Sequence, residues 1–152
     1  MTIALALHAL AAAIWVGGMA FAYAVLRPVA GTVLEGPQRQ RLWRGVFARF
    51  FAVVWGAVAV LLASGYFMVL AVGGGLAAAA VHVHAMHALG LAMAAIFAWV
   101  YFVPWRRFRG AVDARNPESA AASLERIRRL VALNLVLGLV VVAVGASGRY
   151  WP

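Results

Sequence analysis

The sequence of 152 residues contains no cysteine and no lysine, and only four of its residues are acidic. The absence of cysteine excludes disulfides and thiolate metal sites. The four carboxylates lie outside the long apolar stretches, at Glu35, Asp113, Glu118 and Glu125. Catalysis by carboxylates within the apolar stretches is therefore not expected, and no catalytic residue is predicted. Histidine and methionine are the soft metal donors that remain.

Apolar residues dominate what is present, because 66% of the chain is hydrophobic and only 11% is charged. A soluble domain of this size cannot bury so much apolar surface, which indicates an integral membrane protein. Four apolar segments predict helices over about residues 3–26, 41–72, 76–103 and 127–147, each long enough to cross a hydrocarbon core of about 30 Å. The prediction is an all-α fold, an integral membrane four-helix bundle that forms a single domain over residues 1–152.

The boundaries of the first and third helices are expected at prolines. Pro28 follows the first apolar segment and Pro104 follows the third, and proline disrupts a helix interior. The first segment has no basic residues before it and is longer than the apolar part of a signal peptide. It is therefore expected to be retained as a membrane helix.

The basic residues are all arginines, and twelve of the thirteen lie in two segments beside the apolar stretches. The first segment carries Arg27, Arg39, Arg41, Arg44 and Arg49, and the second carries Arg106, Arg107, Arg109, Arg115, Arg126, Arg128 and Arg129. The positive-inside rule places both segments on the cytoplasmic side of the membrane, with both termini outside. The expected partner of these arginines is membrane lipid and not nucleic acid. Small residues from Gly138 to Gly145 would also permit a homodimer.

Four histidines lie in the predicted outer half of the membrane. His8 is on the first helix, and His82, His84 and His87 begin the third in the stretch "AVHVHAMHALG". His84 and His87 are three residues apart and share one helix face, whereas His82 shares another face with Met86, four residues on. Ionisable groups inside a membrane are rare and tend to mark functional sites. The predicted metal ligands are His8, His84, His87, Met86 and, on the second helix, Met68.

Two cofactor chemistries and one structural role are compatible with this pattern. Imidazole and thioether groups bind copper, thioethers favouring Cu(I). Alternatively, His8 with His84 or His87 would be axial ligands of a b-type haem, with Arg149 meeting a propionate. An enzymatic activity, a haem-dependent membrane oxidoreductase, is expected only in that case. The third alternative is a structural membrane subunit without a cofactor.

The stretch "LHALAAAIWVGGMAFAYAVLRP" resembles the CopD family of small bacterial inner-membrane proteins. The resemblance rests on His8, "IWVGG" and "LRP", on "HAMHALGL" in the third helix, and on the closing "RIRRLVALNLVLGLVVVAVGASGRY". It implies a four-helix domain that moves copper from periplasm to cytoplasm, with a periplasmic copper-binding protein as partner. More distantly, the chain resembles HemJ-type protoporphyrinogen oxidases, which bind b-type haem and use a lysine that this sequence does not have.

Overall fold

Four long helices account for most of the fold in the computed structural model, which describes residues 1–71 and 74–150, except for the side chain of Arg149. We label them α1 (Thr2–Val33), α2 (Gly36–Ala71), α3 (Val81–Asp113) and α4 (Pro117–Ser147). By length and composition each is able to cross a membrane. Within the described ranges the chain is otherwise short turns, so the predicted all-α fold with four apolar helices is confirmed.

Two of the helices continue through the prolines at which they were expected to end. A π-helical turn at Ala22–Leu26 precedes Pro28, and another at Tyr101–Trp105 contains Pro104. The wider π turn accommodates a residue that lacks an N–H and would crowd the carbonyl four residues earlier. As a result, α1 extends to Val33 and α3 to Asp113.

Three helix starts differ from expectation: α2 begins five residues early, at Gly36, and the starts of α3 and α4 have local causes. The chain does not begin α3 at residue 76. After Gly74 and Gly75, whose positive φ angles of 69° and 97° turn the chain, it forms a short 3-10 turn at Leu76–Ala78 and is extended at Ala79 and Ala80. By contrast, α4 begins ten residues early, at Pro117, where Asn116 Oδ1 accepts a hydrogen bond from the Ser119 N–H at 3.0 Å. An asparagine cap followed by proline is a standard helix start.

The antiparallel order of the helices gives the bundle two chemically different halves. The histidine half comprises residues 2–14, 58–71, 74–92 and 139–150. The arginine half comprises residues 15–57 and 93–138. All four histidines fall in the first half and twelve of the thirteen arginines in the second, so the sequence segregation becomes a segregation in space.

The buried core lies almost entirely in the arginine half. Among the described residues, Ala11 and Val58 are the only buried hydrophobic side chains in the histidine half. The arginine half buries rings from two helices, α2 and α3, which pack with centroids 5.0–6.2 Å apart: Trp43, Phe47, Phe51, Phe97, Trp105 and Phe108. Elsewhere large apolar side chains face outward, among them Ile3 and Val81 at 78% and 71% exposure. An apolar exterior of this extent is suited to lipid rather than water.

Candidate functional site

The contacts of the histidines are divided between two helices, α2 and the end of α4. His8 of α1 faces α2, His87 of α3 also contacts α2, and His82 of α3 packs on the end of α4. His84, on the first turn of α3, is exposed. The site is therefore built from pairs across helix interfaces.

His8 makes the shortest of these polar contacts. Its Nδ1 lies 2.9 Å from Oγ of Ser64, a buried serine on α2. The Ser64 hydroxyl has one hydrogen, and Oγ lies 2.5 Å from the Val60 carbonyl and 3.3 Å from that of Leu61. The hydroxyl thus donates within its own helix and accepts from His8. A neutral His8 then carries its proton on Nδ1, which leaves the Nε2 lone pair available to a metal.

A glycine of α2 lies against the His8 ring. A Cβ atom built on Gly65 would lie 3.4 Å from His8 Cε1, at van der Waals contact. The glycine therefore lets the imidazole lie against the α2 backbone. The position of the ring is fixed by two consecutive residues, Ser64 and Gly65, one holding its nitrogen and the other accommodating its edge.

The second imidazole held by α2 is that of His87. The Tyr66 hydroxyl lies 3.3 Å from His87 Nε2, and the two rings meet edge-on with centroids 5.1 Å apart. Both side chains are partly open to the surroundings of the bundle. His8 and His87 are thus positioned by α2 residues only two apart in sequence.

The face of α3 that carries His82 and Met86 packs against glycines of α4, in agreement with their four-residue spacing. A Cβ on Gly148 would lie 2.5 Å from the His82 ring, and one on Gly145 would lie 2.9 Å from Met86 Cε. Both glycines therefore make room for an α3 side chain. The thioether sulfur of Met86 faces the end of α4 in the histidine half.

The predicted ligands all belong to the histidine half, but they do not form one cluster. Within residues 1–71 and 74–150 no three histidine or acidic side chains lie close enough to hold a metal ion together. Met68 is partly buried on α2. The side chain of Arg149 lies outside the described residues, and its proposed contact with a propionate stays a prediction, as does the ligand set.

The sequence analysis did not single out Ser64, although it lies in "ASGYFM", a short stretch with polar side chains in the apolar part of α2. The signal was a serine and a tyrosine, Ser64 and Tyr66, at the same predicted depth as the histidines. Pairing Ser64 with His8, 56 residues away, required the packing of α1 on α2.

Helix length, apolar exterior and separated polar ends define a multi-pass helical membrane protein. Residues 44–147 match the family model described as copper resistance protein D, CopD. The match covers more than half of the chain, so the chain belongs to the CopD family and the predicted family is confirmed, although the first-helix motifs at residues 8–28 precede the matched segment. No curated protein and no solved structure matched the chain. The matched segment contains Ser64, Tyr66 and three of the histidines, whereas His8 precedes it.

Proposed function

We propose that this protein handles copper at the membrane and receives the ion in its histidine half. Membership of the CopD family supports a copper-related role. The chain offers no thiolate donor, and its imidazoles are confined to one end of the bundle together with Met68 and Met86. Imidazole and thioether are suitable donors for copper, particularly Cu(I).

The observation that carries this proposal is the bonding of His8. The hydrogen bond from Nδ1 to Ser64 fixes one tautomer and orients the ring, as neighbouring acceptors commonly do for metal-binding histidines. Nε2 is left as the donor atom. Because Ser64 is itself anchored to the α2 carbonyls, the imidazole is held before any ion arrives.

The remaining donors lie on neighbouring helices in the same half of the bundle. His87 is held by Tyr66 on α2, Met86 packs near the end of α4, and His84 is exposed at the start of α3. We assign His8, His84 and His87 as imidazole ligands, with Met68 and Met86 as thioether donors. Binding would then require a rearrangement of side chains that draws these donors toward His8.

The arginine half is assigned to the cytoplasmic side of a bacterial inner membrane. Twelve arginines flank the α1–α2 and α3–α4 connections, which is the distribution that the positive-inside rule associates with the cytoplasm. Both termini and the histidine half would then face the periplasm. Copper would meet the exposed His84 from that side, where a periplasmic copper-binding protein would deliver it.

The test is an anaerobic titration of the detergent-purified protein with Cu(I) in the presence of a competing chromophoric chelator. The wild type should withdraw Cu(I) from the chelator, and His8→Ala should weaken binding by about tenfold or more, because one donor is lost. Met19→Leu, a change at a buried residue of the arginine half, is the matched control. Equal Cu(I) affinity in wild type and His8→Ala would refute the assignment of His8.

An absorption spectrum of the same preparation, before copper is added, tests the haem alternative. The orientation of His8 also suits an axial ligand, since Nε2 is the atom left free and Gly65 gives space beside the ring. A Soret band that disappears in His8→Ala would establish a b-type haem protein and displace the copper proposal. A spectrum without that band leaves the Cu(I) titration to decide.

A further inference from the structure

A large cavity lies at the opposite end of the molecule from the histidines. It is an open concavity with a volume of about 740 Å³, lined by the start of α2, the end of α3 and the start of α4. Volumes of roughly 300–1,000 Å³ are typical of small-ligand sites. Its walls include three arginines, Arg41, Arg44 and Arg115, and one acidic residue, Asp113.

The charges around the cavity do not balance. Nη2 of Arg44 lies 2.9 Å and 3.0 Å from the two carboxylate oxygens of Asp113, so this pair is neutral overall. Arg41 and Arg115 form no ion pair with any residue that the structure describes. Neither Glu35 nor Glu118 lines the cavity. Two positive charges therefore face this space without an acidic partner on its wall.

The backbone adds to this positive potential. Both α2 and α4 start at the cavity, and each is more than thirty residues long. The amino-terminal end of a helix carries a partial positive charge of about half an electron. Gln40 Nε2 donates to the Pro117 carbonyl at 2.8 Å and ties the two helix starts together. The wall is thus a connected structure and not a set of separate loops.

The backbone of Arg115 forms the turn that ends α3. Its φ angle is 54°, the one positive value for a residue other than glycine in the part of the chain described. The Asn116 N–H donates to the Ala111 carbonyl at 2.9 Å across this residue, which is a common way for a helix to end. The tight turn places Arg115 in the wall opposite Arg41, which comes from another helix.

We propose that this cavity binds a phosphate-bearing anion through Arg41 and Arg115. Phosphate accepts several charge-assisted hydrogen bonds at once, and guanidinium groups match its geometry. The phosphate comes either from the headgroup of an anionic phospholipid or from a soluble phosphate. The Arg44–Asp113 ion pair joins α2 to the end of α3 and so positions the wall of the cavity. Because this pair is neutral overall, the positive charge available to an anion comes from Arg41 and Arg115.

The test measures binding to the full-length protein in a zwitterionic detergent. Native mass spectrometry compares retention of phosphatidylglycerol with that of phosphatidylcholine of the same acyl chains, and calorimetry measures inorganic phosphate. The binding variant is Arg41→Gln with Arg115→Gln. The control, Arg107→Gln with Arg109→Gln, removes the same net charge from exposed positions outside the cavity.

The expected result is binding by the wild type and the control, weakened about tenfold or more in the binding variant. Retention of phosphatidylglycerol without binding of inorganic phosphate identifies a lipid headgroup, and binding of inorganic phosphate identifies a soluble anion. Equal loss in the two double variants would overturn the proposal, because it would show an unspecific charge effect. Absence of binding to both probes would overturn it as well. Arg41→Gln alone should weaken binding less and serves if the double variant fails to fold.

Discussion

The arginine half and the histidine half of the bundle differ in how their interiors are held together. Stacked and edge-on rings fill the first, with Phe47 and Phe51 parallel at 5.2 Å and Trp105 edge-on to both. The second has few buried apolar side chains and relies on individual polar contacts such as His8–Ser64 and Tyr66–His87. Regions with few buried contacts open more easily. We therefore expect the arginine half to provide most of the stability and the histidine half to bind a ligand and rearrange.

Both π-helical turns lie in the arginine half. Each is followed by an arginine whose guanidinium group lies over the aromatic ring of the residue four positions earlier. Arg27 lies 5.1 Å from the Tyr23 ring centre, and Arg106 lies 5.2 Å from that of Phe102. Cation–π pairs at this spacing support the helix where proline weakens it. The two helices are therefore reinforced at the end that forms the core.

The largest difference between the halves should appear on removing an aromatic side chain. Phe51→Ala deletes a ring that is 2% exposed and contacts rings on two helices, so we expect a loss of about 3–5 kcal/mol in the free energy of unfolding. The matched change Phe67→Ala, at a side chain 52% exposed in the histidine half, should cost far less. Denaturant unfolding in detergent, followed by circular dichroism, measures both. Similar losses would contradict the assignment of stability to the arginine half.

The next effect concerns the copper site and should appear mainly in Cu(I) affinity, with a loss of about 1–3 kcal/mol in the free energy of unfolding because His8 Nδ1–H is left without its acceptor. Ser64→Ala removes the acceptor for His8 Nδ1–H, so the imidazole loses its orientation and Cu(I) affinity should fall about 10- to 100-fold. Ser147→Ala is the control, since Ser147 also donates to the carbonyl four residues earlier in the histidine half. Ser64→Thr keeps a hydroxyl and should restore most of the affinity. Competition with a chromophoric chelator gives the affinities, and an unchanged value for Ser64→Ala would refute the positioning role.

The segregation of the two halves was predictable from sequence because it depends on residue types along each helix. The lengths of the apolar segments predicted four helices, and the positions of the arginines and histidines predicted two chemically distinct ends of the bundle. The continuation through Pro28 and Pro104 was not predictable from these rules, because a π turn depends on local backbone adjustment. The role of Ser64 depended on which faces of α1 and α2 meet. A hydropathy profile does not predict which helix faces meet, because Ser64 and Gly65 change the mean hydropathy of α2 very little.

A smaller effect is expected where the histidine half is closely packed. Gly148→Ala would place a methyl group 2.5 Å from the His82 ring, and relief requires the ring to move, at a cost of about 1–3 kcal/mol. Gly17→Ala, where a Cβ meets nothing within 4 Å, should instead stabilise α1 by up to about 1 kcal/mol. Thermal unfolding in detergent measures whether each substitution lowers or raises the stability of the protein. Destabilisation by both changes would mean that glycine acts here through something other than the space it leaves.

The smallest effect is expected from replacing Asn134, a buried polar residue in the otherwise apolar interior of the arginine half. This side chain is 3% exposed, and its Oδ1 accepts no hydrogen bond from the residues that the structure describes. It borders a small void of about 10 Å³, the size of about one water molecule, beside Trp15 and Met19. Leucine has a similar shape and no polar atom to satisfy, so Asn134→Leu should raise stability by about 1 kcal/mol, measured by denaturant unfolding in detergent. Destabilisation would show that Asn134 does have a partner, such as a water in this void, and that a polar group contributes to the half otherwise held by aromatic packing.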